Sequence, residues 1–162
     1  MSDPREELAL QAVETTIGTI IRTANGYYGD LLADDVLDLK KDLETDGSGL
    51  RRAQVYSAGF DNRQQGDEAA MSQTLKTLNC FIDACVAVQS DFRRETAQFR
   101  ADLERSLMKD ISQGGVCLNT FVTGAELFGV SPNNWGHFTL SFQLLIRHAV
   151  NDPSQEYQVE YN

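Results

Sequence analysis

Several features that would point to particular classes of protein are scarce or missing in this sequence. Only 3 of the 162 residues are proline, so few positions forbid a helix. No stretch approaches the ~18 uninterrupted apolar residues that a membrane span requires, and the acidic N-terminus does not resemble a secretory signal peptide. The 3 cysteines are an odd number, which fits a reducing compartment better than a disulfide framework. We therefore expect a cytoplasmic protein with no direct membrane span.

Positive charge is also in short supply. The chain has 14 Lys and Arg against 24 Asp and Glu, a formal net charge of -10. Such a field repels phosphate backbones and anionic lipid, so we expect no nucleic-acid partner. The contents of hydrophobic residues (41%) and charged residues (23%) are those of an ordinary globular protein. Residues 1–162 are predicted to form a single domain.

Groups that could carry out chemistry do not cluster in the sequence. His137 and His148 are eleven residues apart, about 16 Å along a helix, so they cannot share a metal ion. Cys80 and Cys85 match no zinc or redox spacing and are predicted, like Cys117, to be core residues. No phosphate loop or nucleophile motif is present. We therefore expect a protein that is not an enzyme and has no cofactor and no metal.

The spacing of apolar residues predicts an all-α fold. Apolar residues recur at three- and four-residue steps along most of the chain, beginning with a stripe from Leu10 to Ala24. The acidic residues Asp34, Asp35, Asp102 and Glu104 are interpreted as solvated helix faces. Residues 45–66 are predicted to be a long loop and 152–162 a flexible tail. The predicted helices cover residues 3–24, 30–44, 67–88, 92–107, 116–128 and 135–150.

The last of these helices is apolar on nearly every side, which is typical of a helix at the centre of a bundle. The sequence thus predicts a helical bundle of five to seven helices around a central hydrophobic helix. Five helices would not cover such a helix completely, and large exposed apolar surfaces usually mark interfaces. We therefore also expect a homo-oligomer, in the simplest case a homodimer, or an obligate partner that covers this helix.

The segment that opens this helix is unusual in composition. Leu127-Phe128 is followed by a short turn, then by Asn134 as a helix cap, the only tryptophan (Trp135) and Gly136. A glycine in the first helical turn costs about 1 kcal/mol relative to alanine, so something is expected to pack closely on the backbone there. That neighbour is either another helix of the same chain or the helix of a partner.

Leu127-Phe128, the turn and Asn134-Trp135-Gly136 resemble the first homology motif of the B-cell lymphoma 2 (Bcl-2) family of apoptosis regulators. His137 stands where that family has an arginine. A second stretch, Leu78 to Asp83, resembles the family's third homology motif, with Ile82 in place of the usual glycine. The helix that is similar to the family's death motif carries Leu75, Leu78, Phe81, Asp83 and Val86.

The resemblance implies an apoptosis regulator with a Bcl-like fold. Such a regulator binds the amphipathic death-motif helix of a partner protein in a hydrophobic groove, and it is recruited to the mitochondrial surface through a partner. The residues to which the resemblance assigns partner-helix binding are Phe92, Phe99, Leu103, Glu126, Leu127, Phe128, Asn134, Trp135, Gly136 and His137.

Two other functions fit the same residues. One is an unrelated helical oligomerisation or scaffold protein that binds no death motif, in which the Asn-Trp-Gly turn is only a structural crossing. The other is a helical carrier of a small ligand, with Cys80, Cys85 and the aromatic residues around a pocket.

Overall fold

In a computed structural model, which describes residues 3–20, 26–63 and 73–149, antiparallel sheet dominates the fold. Strands β1 and β2 form a small ribbon, and the other four form an antiparallel sheet in the order β3-β4-β6-β5. The prediction of an all-α helical bundle is therefore wrong. The elements are α1 (Arg5–Ile17), β1 (Thr19–Ile20), β2 (Leu31–Leu32), a 3-10 turn (Ala33–Asp35), β3 (Arg51–Arg63), β4 (Gln73–Ala87), α2 (Phe92–Lys109), β5 (Asn119–Val130) and β6 (Trp135–Ala149).

The segment predicted as the central hydrophobic helix is instead the central strand β6. It pairs with β4 on one side and with β5 on the other. Its side chains alternate strictly, and the buried large ones point toward the two helices at every second position. The apolar character on all sides of the predicted helix arises because a step of two residues turns by about 200° on a helix, so residues at every second position spread around it. The buried apolar residues of this strand are Phe138, Leu140, Phe142, Leu144 and Ile146.

The other segments whose predicted structure is wrong also contain strands. The predicted helix at 67–88 is strand β4 from Gln73 onward, and residues 64–72 lie outside the described residues. The predicted helix at 116–128 is largely β5, and that at 30–44 is β2, the 3-10 turn and a loop. The predicted loop at 45–66 contains β3. In these segments some apolar residues of the two strand faces happen to lie three or four positions apart, which mimics helical spacing.

The two helices that do form were both predicted from the sequence. α1 ends at Ile17, earlier than the predicted Ala24, which lies outside the described residues together with the predicted tail at 152–162. α2 begins after Asp91, whose carboxylate accepts a hydrogen bond from the N–H of Arg94. Both helices pack on the same face of the large sheet, and the core lies between them and the strands. Its fully buried large side chains include Ile17, Phe99, Leu103, Leu107, Ile82, Leu140, Phe142 and Leu144.

Candidate interaction surfaces

Two of the residues assigned to partner-helix binding are core residues. Phe99 and Leu103 on α2 are both 0% exposed. The ring of Phe99 packs edge-to-face on that of Phe138, with ring centroids 5.4 Å apart. Neither side chain is accessible to a partner in this fold.

The close approach predicted at Gly136 is present, and its partner belongs to the same chain. A Cβ atom added to Gly136 would lie 2.7 Å from Cδ2 of Phe92 and 3.0 Å from Cγ2 of Thr96. Strand β6 therefore crosses the first turn of α2 with no room for a side chain. Of the two alternatives in the sequence, the contact within the chain is the one observed, but between a strand and a helix.

The residues that resemble a death-motif helix lie on strand β4 and divide between its faces. Leu78 and Val86 are buried on the face that meets the helices. Phe81 lies on the opposite face, where its ring stacks on Tyr56 with centroids 5.4 Å apart. Asp83, on the same side, accepts hydrogen bonds from the hydroxyls of Tyr56 (3.2 Å) and Thr139 (2.6 Å). Leu75, paired opposite Arg147, shares this second face. A strand cannot present all five residues to one partner helix.

The Asn-Trp-Gly turn contacts two loops of the same chain, the loop at residues 36–50 before β3 and the connection between β4 and α2. The guanidinium of Arg52 stacks 4.3 Å from the ring centroid of Trp135, and its Nε donates to the carbonyl of Gly49 at 3.0 Å. The side-chain amide of Asn134 donates to the carbonyl of Val88 at 3.0 Å. These side chains therefore serve contacts within the chain.

Glu44 connects the loop at residues 36–50 to strand β6 and to the turn that precedes it. Its Oε2 lies 2.8 Å from Nε2 of His137, and its Oε1 accepts a hydrogen bond from the hydroxyl of Ser131 at 2.9 Å. Burial pushes the pKa of Glu44 upward, but the hydrogen bonds from Ser131 and His137 outweigh it, and the pKa lies below its ordinary value. His137 thus has an acidic partner in its own chain.

A buried ion pair joins strand β3 to helix α2. Nη1 of Arg51 donates to Oδ2 of Asp102 at 2.6 Å, and both side chains are less than a tenth exposed. The same carboxylate accepts hydrogen bonds from the backbone N–H groups of Tyr28 (3.0 Å) and Gly29 (3.2 Å). The interpretation of Asp102 and Asp35 as solvated residues is wrong, since both are buried. The carboxylate of Asp35 instead accepts from the backbone N–H groups of residues 48 and 49.

The prediction that the cysteines are core residues is confirmed. Cys80, Cys85 and Cys117 are buried and free of disulfides. Burial raises the pKa of each thiol to about 12. Such thiols are protonated at neutral pH and are poor nucleophiles and metal ligands.

One edge of the large sheet is long, apolar and exposed. Strand β5 spans 12 residues, and among the residues that the structure describes it pairs only with β6. Its single charged residue is Glu126, which is also the only Asp, Glu, Lys or Arg between Asp110 and Arg147. Two irregularities interrupt its register with β6, and Phe128 is the extra residue of the second. The large apolar side chains exposed on this strand are Phe121 (42%), Leu127 (56%), Phe128 (61%) and Val130 (47%). We call this surface the β5 edge.

The opposite edge of the sheet borders a groove. Strand β3 lies beside α1, and between them are two adjoining depressions of about 630 and 500 Å³ that share Glu7, Leu10 and Ser57. The carboxylates of Glu6, Glu7 and Glu14 on α1 and of Asp38 in the loop after the 3-10 turn form the rim of the groove. We call this surface the α1–β3 groove, and its lining includes Glu6, Glu7, Leu10, Glu14, Val36, Asp38, Leu39, Val55, Ser57 and Phe60.

Within the described part of the chain, no group of three His, Cys, Asp or Glu residues is arranged to hold a metal ion. Over the same residues, neither helix has the length and apolar character needed to cross a membrane. Comparison of the chain with models of known protein families and with curated proteins found no match.

Proposed function

We propose that this chain is a non-catalytic assembly subunit that joins copies of itself through the β5 edge. The observation that carries the proposal is a 12-residue edge strand with four large, exposed apolar side chains and one charge. Oligomerisation was one of the alternatives drawn from the sequence. In the present proposal the contact surface is a strand and not a helix.

Edge strands with these properties are unusual in proteins that stay monomeric. The outward N–H and C=O groups of an edge strand can pair with another chain, and edges are normally protected by lysine, proline, shortness or β-bulges. Of these features β5 has only its two bulges. β5 has neither lysine nor proline. If each of the four large side chains presents about half of ~200 Å², the edge exposes about 400 Å² of apolar surface per copy. The register divides this surface between the two faces of the sheet, because Phe121 pairs with Gln143 on one face and Leu127 with Phe138 on the other.

Charge favours this surface for self-association over the rest of the molecule. Two copies with a formal charge of -10 each repel, and repulsion is weakest where both are uncharged. An antiparallel pairing with its two-fold axis at Ala125 sets Glu126 opposite Gly124 of the second copy. The two carboxylates are then out of register, so no like charges face each other directly.

The implied role in apoptosis remains a prediction. Of the predicted helices that carry the groove residues, only that at 92–107 forms, and those at 116–128 and 135–150 are largely strands. Leu127 and Phe128 enter the present proposal as edge residues instead. Three buried free thiols fit a reducing compartment such as the cytoplasm.

Sedimentation velocity and light scattering on the purified chain test the proposal. We expect a mass above that of one 18.0 kDa chain, and an association that strengthens as salt screens the net charge. Leu127→Lys is expected to weaken it. Burying the exposed half of this leucine contributes about 1–1.5 kcal/mol per copy. Over two copies this corresponds to a loss of affinity of about 30- to 150-fold.

Leu50→Lys is the matched control, because Leu50 is equally exposed (61%) and lies outside β5. This variant should assemble like the original chain, and both variants should keep their circular dichroism spectrum and melting temperature. A single-chain mass at high micromolar concentration would refute the proposal. So would an equal effect of the two substitutions.

A further inference from the structure

We infer that the α1–β3 groove binds an extended segment of another protein that alternates apolar side chains with lysine or arginine. The groove lies at the opposite edge of the sheet from the β5 edge. This inference is therefore independent of the proposed self-association.

The edge of β3 already accepts a backbone partner at one end. Val36 and Ala53 form a parallel bridge, and the N–H of Leu37 donates to the carbonyl of Ala53 at 2.8 Å. Beyond this bridge no further strand lies beside β3 among the described residues. From Ala53 to Phe60 the edge is about 20 Å long, enough for six or seven residues of an added strand.

The floor and the rim of the groove define the side chains that fit it. Leu10 of α1 and Val55 of β3 form an apolar floor, and Leu39, which is 58% exposed, extends it at one end. Apolar side chains of an added strand would point toward this floor at every second position. At the other end, Phe60 is 45% exposed.

Acidic groups at the rim select the sign of the partner's charge. Burial is the main cause of the raised pKa of Glu14, and the neighbouring carboxylates of Glu7 and Asp38 add to it. Glu14 is repelled by both of these carboxylates in the free protein, and a cation beside it would relieve that repulsion. At the other end, Nζ of Lys76 lies 3.9 Å from Oε2 of Glu6 and 4.1 Å from the ring centroid of Phe60, so this end already holds a cation of the same chain. A cation of the partner is therefore expected beside Glu14.

A second copy of the chain does not meet these requirements. Its exposed apolar edge, β5, carries one charge, and that charge is negative. A basic, apolar strand from a different protein matches both the floor and the rim.

The probe is a fluorescein-labelled peptide of about eight residues that alternates lysine with valine, titrated by fluorescence anisotropy. We expect saturable binding to the intact chain. A peptide with glutamate in place of lysine should not bind. A lysine-valine peptide with N-methyl groups at alternate amides should bind at least about tenfold more weakly, because it cannot complete the backbone ladder.

Glu14→Gln separates a binding role from a purely structural one. It should raise the melting temperature slightly, because it removes the repulsion with Glu7 and Asp38, and yet weaken peptide binding about three- to fivefold. Glu104→Gln on α2, outside the groove, is the control and should change neither.

Three results would overturn the inference. One is the absence of saturable binding of the basic peptide at millimolar concentration. Another is equal weakening by Glu14→Gln and Glu104→Gln. The third is loss of peptide binding in the Leu127→Lys variant, since the peptide would then be paired with the β5 edge and not bound in the groove. A failure of the self-association proposal would appear only in the mass of the peptide-free chain.

Discussion

Replacing Gly136 with alanine places a methyl group against the ring of Phe92. The added Cβ would lie 2.7 and 2.8 Å from two ring carbons and 3.0 Å from Cγ2 of Thr96, all closer than carbon atoms normally approach. Overpacking of this kind costs about 1–3 kcal/mol. Alanine regains about 0.5–1 kcal/mol because glycine is unfavourable within a strand. The net expectation is a loss of about 1–2 kcal/mol, or roughly 3–8 °C in melting temperature.

The sign of this effect tests whether Gly136 packs closely on α2. In an exposed helix the same substitution stabilises by about 1 kcal/mol. Urea denaturation of the original chain, Gly136→Ala, Phe92→Ala and the double variant forms a complete cycle. We expect Gly136→Ala to destabilise the original chain but to be nearly neutral, or stabilising, once Phe92 is alanine. Stabilisation of the original chain by Gly136→Ala would refute the packing of β6 on α2 described above.

Two further predictions concern the interior. Asp102→Ala leaves the buried guanidinium of Arg51 without its carboxylate and should cost about 3–5 kcal/mol in urea denaturation, whereas a loss below about 1 kcal/mol would mean that the ion pair is solvated. Cys80, Cys85 and Cys117 should react with a chromogenic disulfide reagent at pH 8 only after unfolding, because burial raises their pKa to about 12; rapid reaction of the native protein would contradict this.

The two helices were predictable because both the residues at their start and the spacing of their apolar residues indicate a helix. α1 begins at Pro4 with acidic residues in its first turn, and α2 has its cap at Asp91 and a clear apolar stripe. In both, one face meets the sheet and the other meets solvent, which produces a helical period. The boundary at Gly18 was missed because apolar residues continue into β1.

The strands were not predicted because the spacing of their apolar residues fits both the helical period of about 3.6 residues and the strand period of two residues. In β4, Leu75, Leu78 and Ile82 follow helical spacing, yet Leu78 and Ile82 point to one face of the sheet and Leu75 to the other. In β6, the alternation from Phe138 to Ile146 was present in the sequence, but the adjacent apolar pair Leu144-Leu145 obscured it. Counting matches to a period of two would have identified this strand.

The candidate surfaces were only partly accessible from sequence. Leu127 and Phe128 were singled out for a resemblance that assumed helices, and they are exposed because β5 is an edge strand. The near absence of charge from 111 to 146 was a usable signal for the β5 edge. The α1–β3 groove joins segments up to fifty residues apart in the chain, such as Glu7 and Ser57, so no local pattern could predict it.

Hydrogen–deuterium exchange across β5, measured at several protein concentrations, tests the central claim most directly. In a single chain the outward N–H groups of an edge strand are exposed to water and exchange quickly. If β5 pairs with a second copy, exchange in peptides covering Asn119–Val130 will slow as concentration rises, and Leu127→Lys will restore fast exchange. Exchange in β5 that stays fast and independent of concentration, in a sample whose mass exceeds one chain, would contradict the proposal by placing the interface elsewhere.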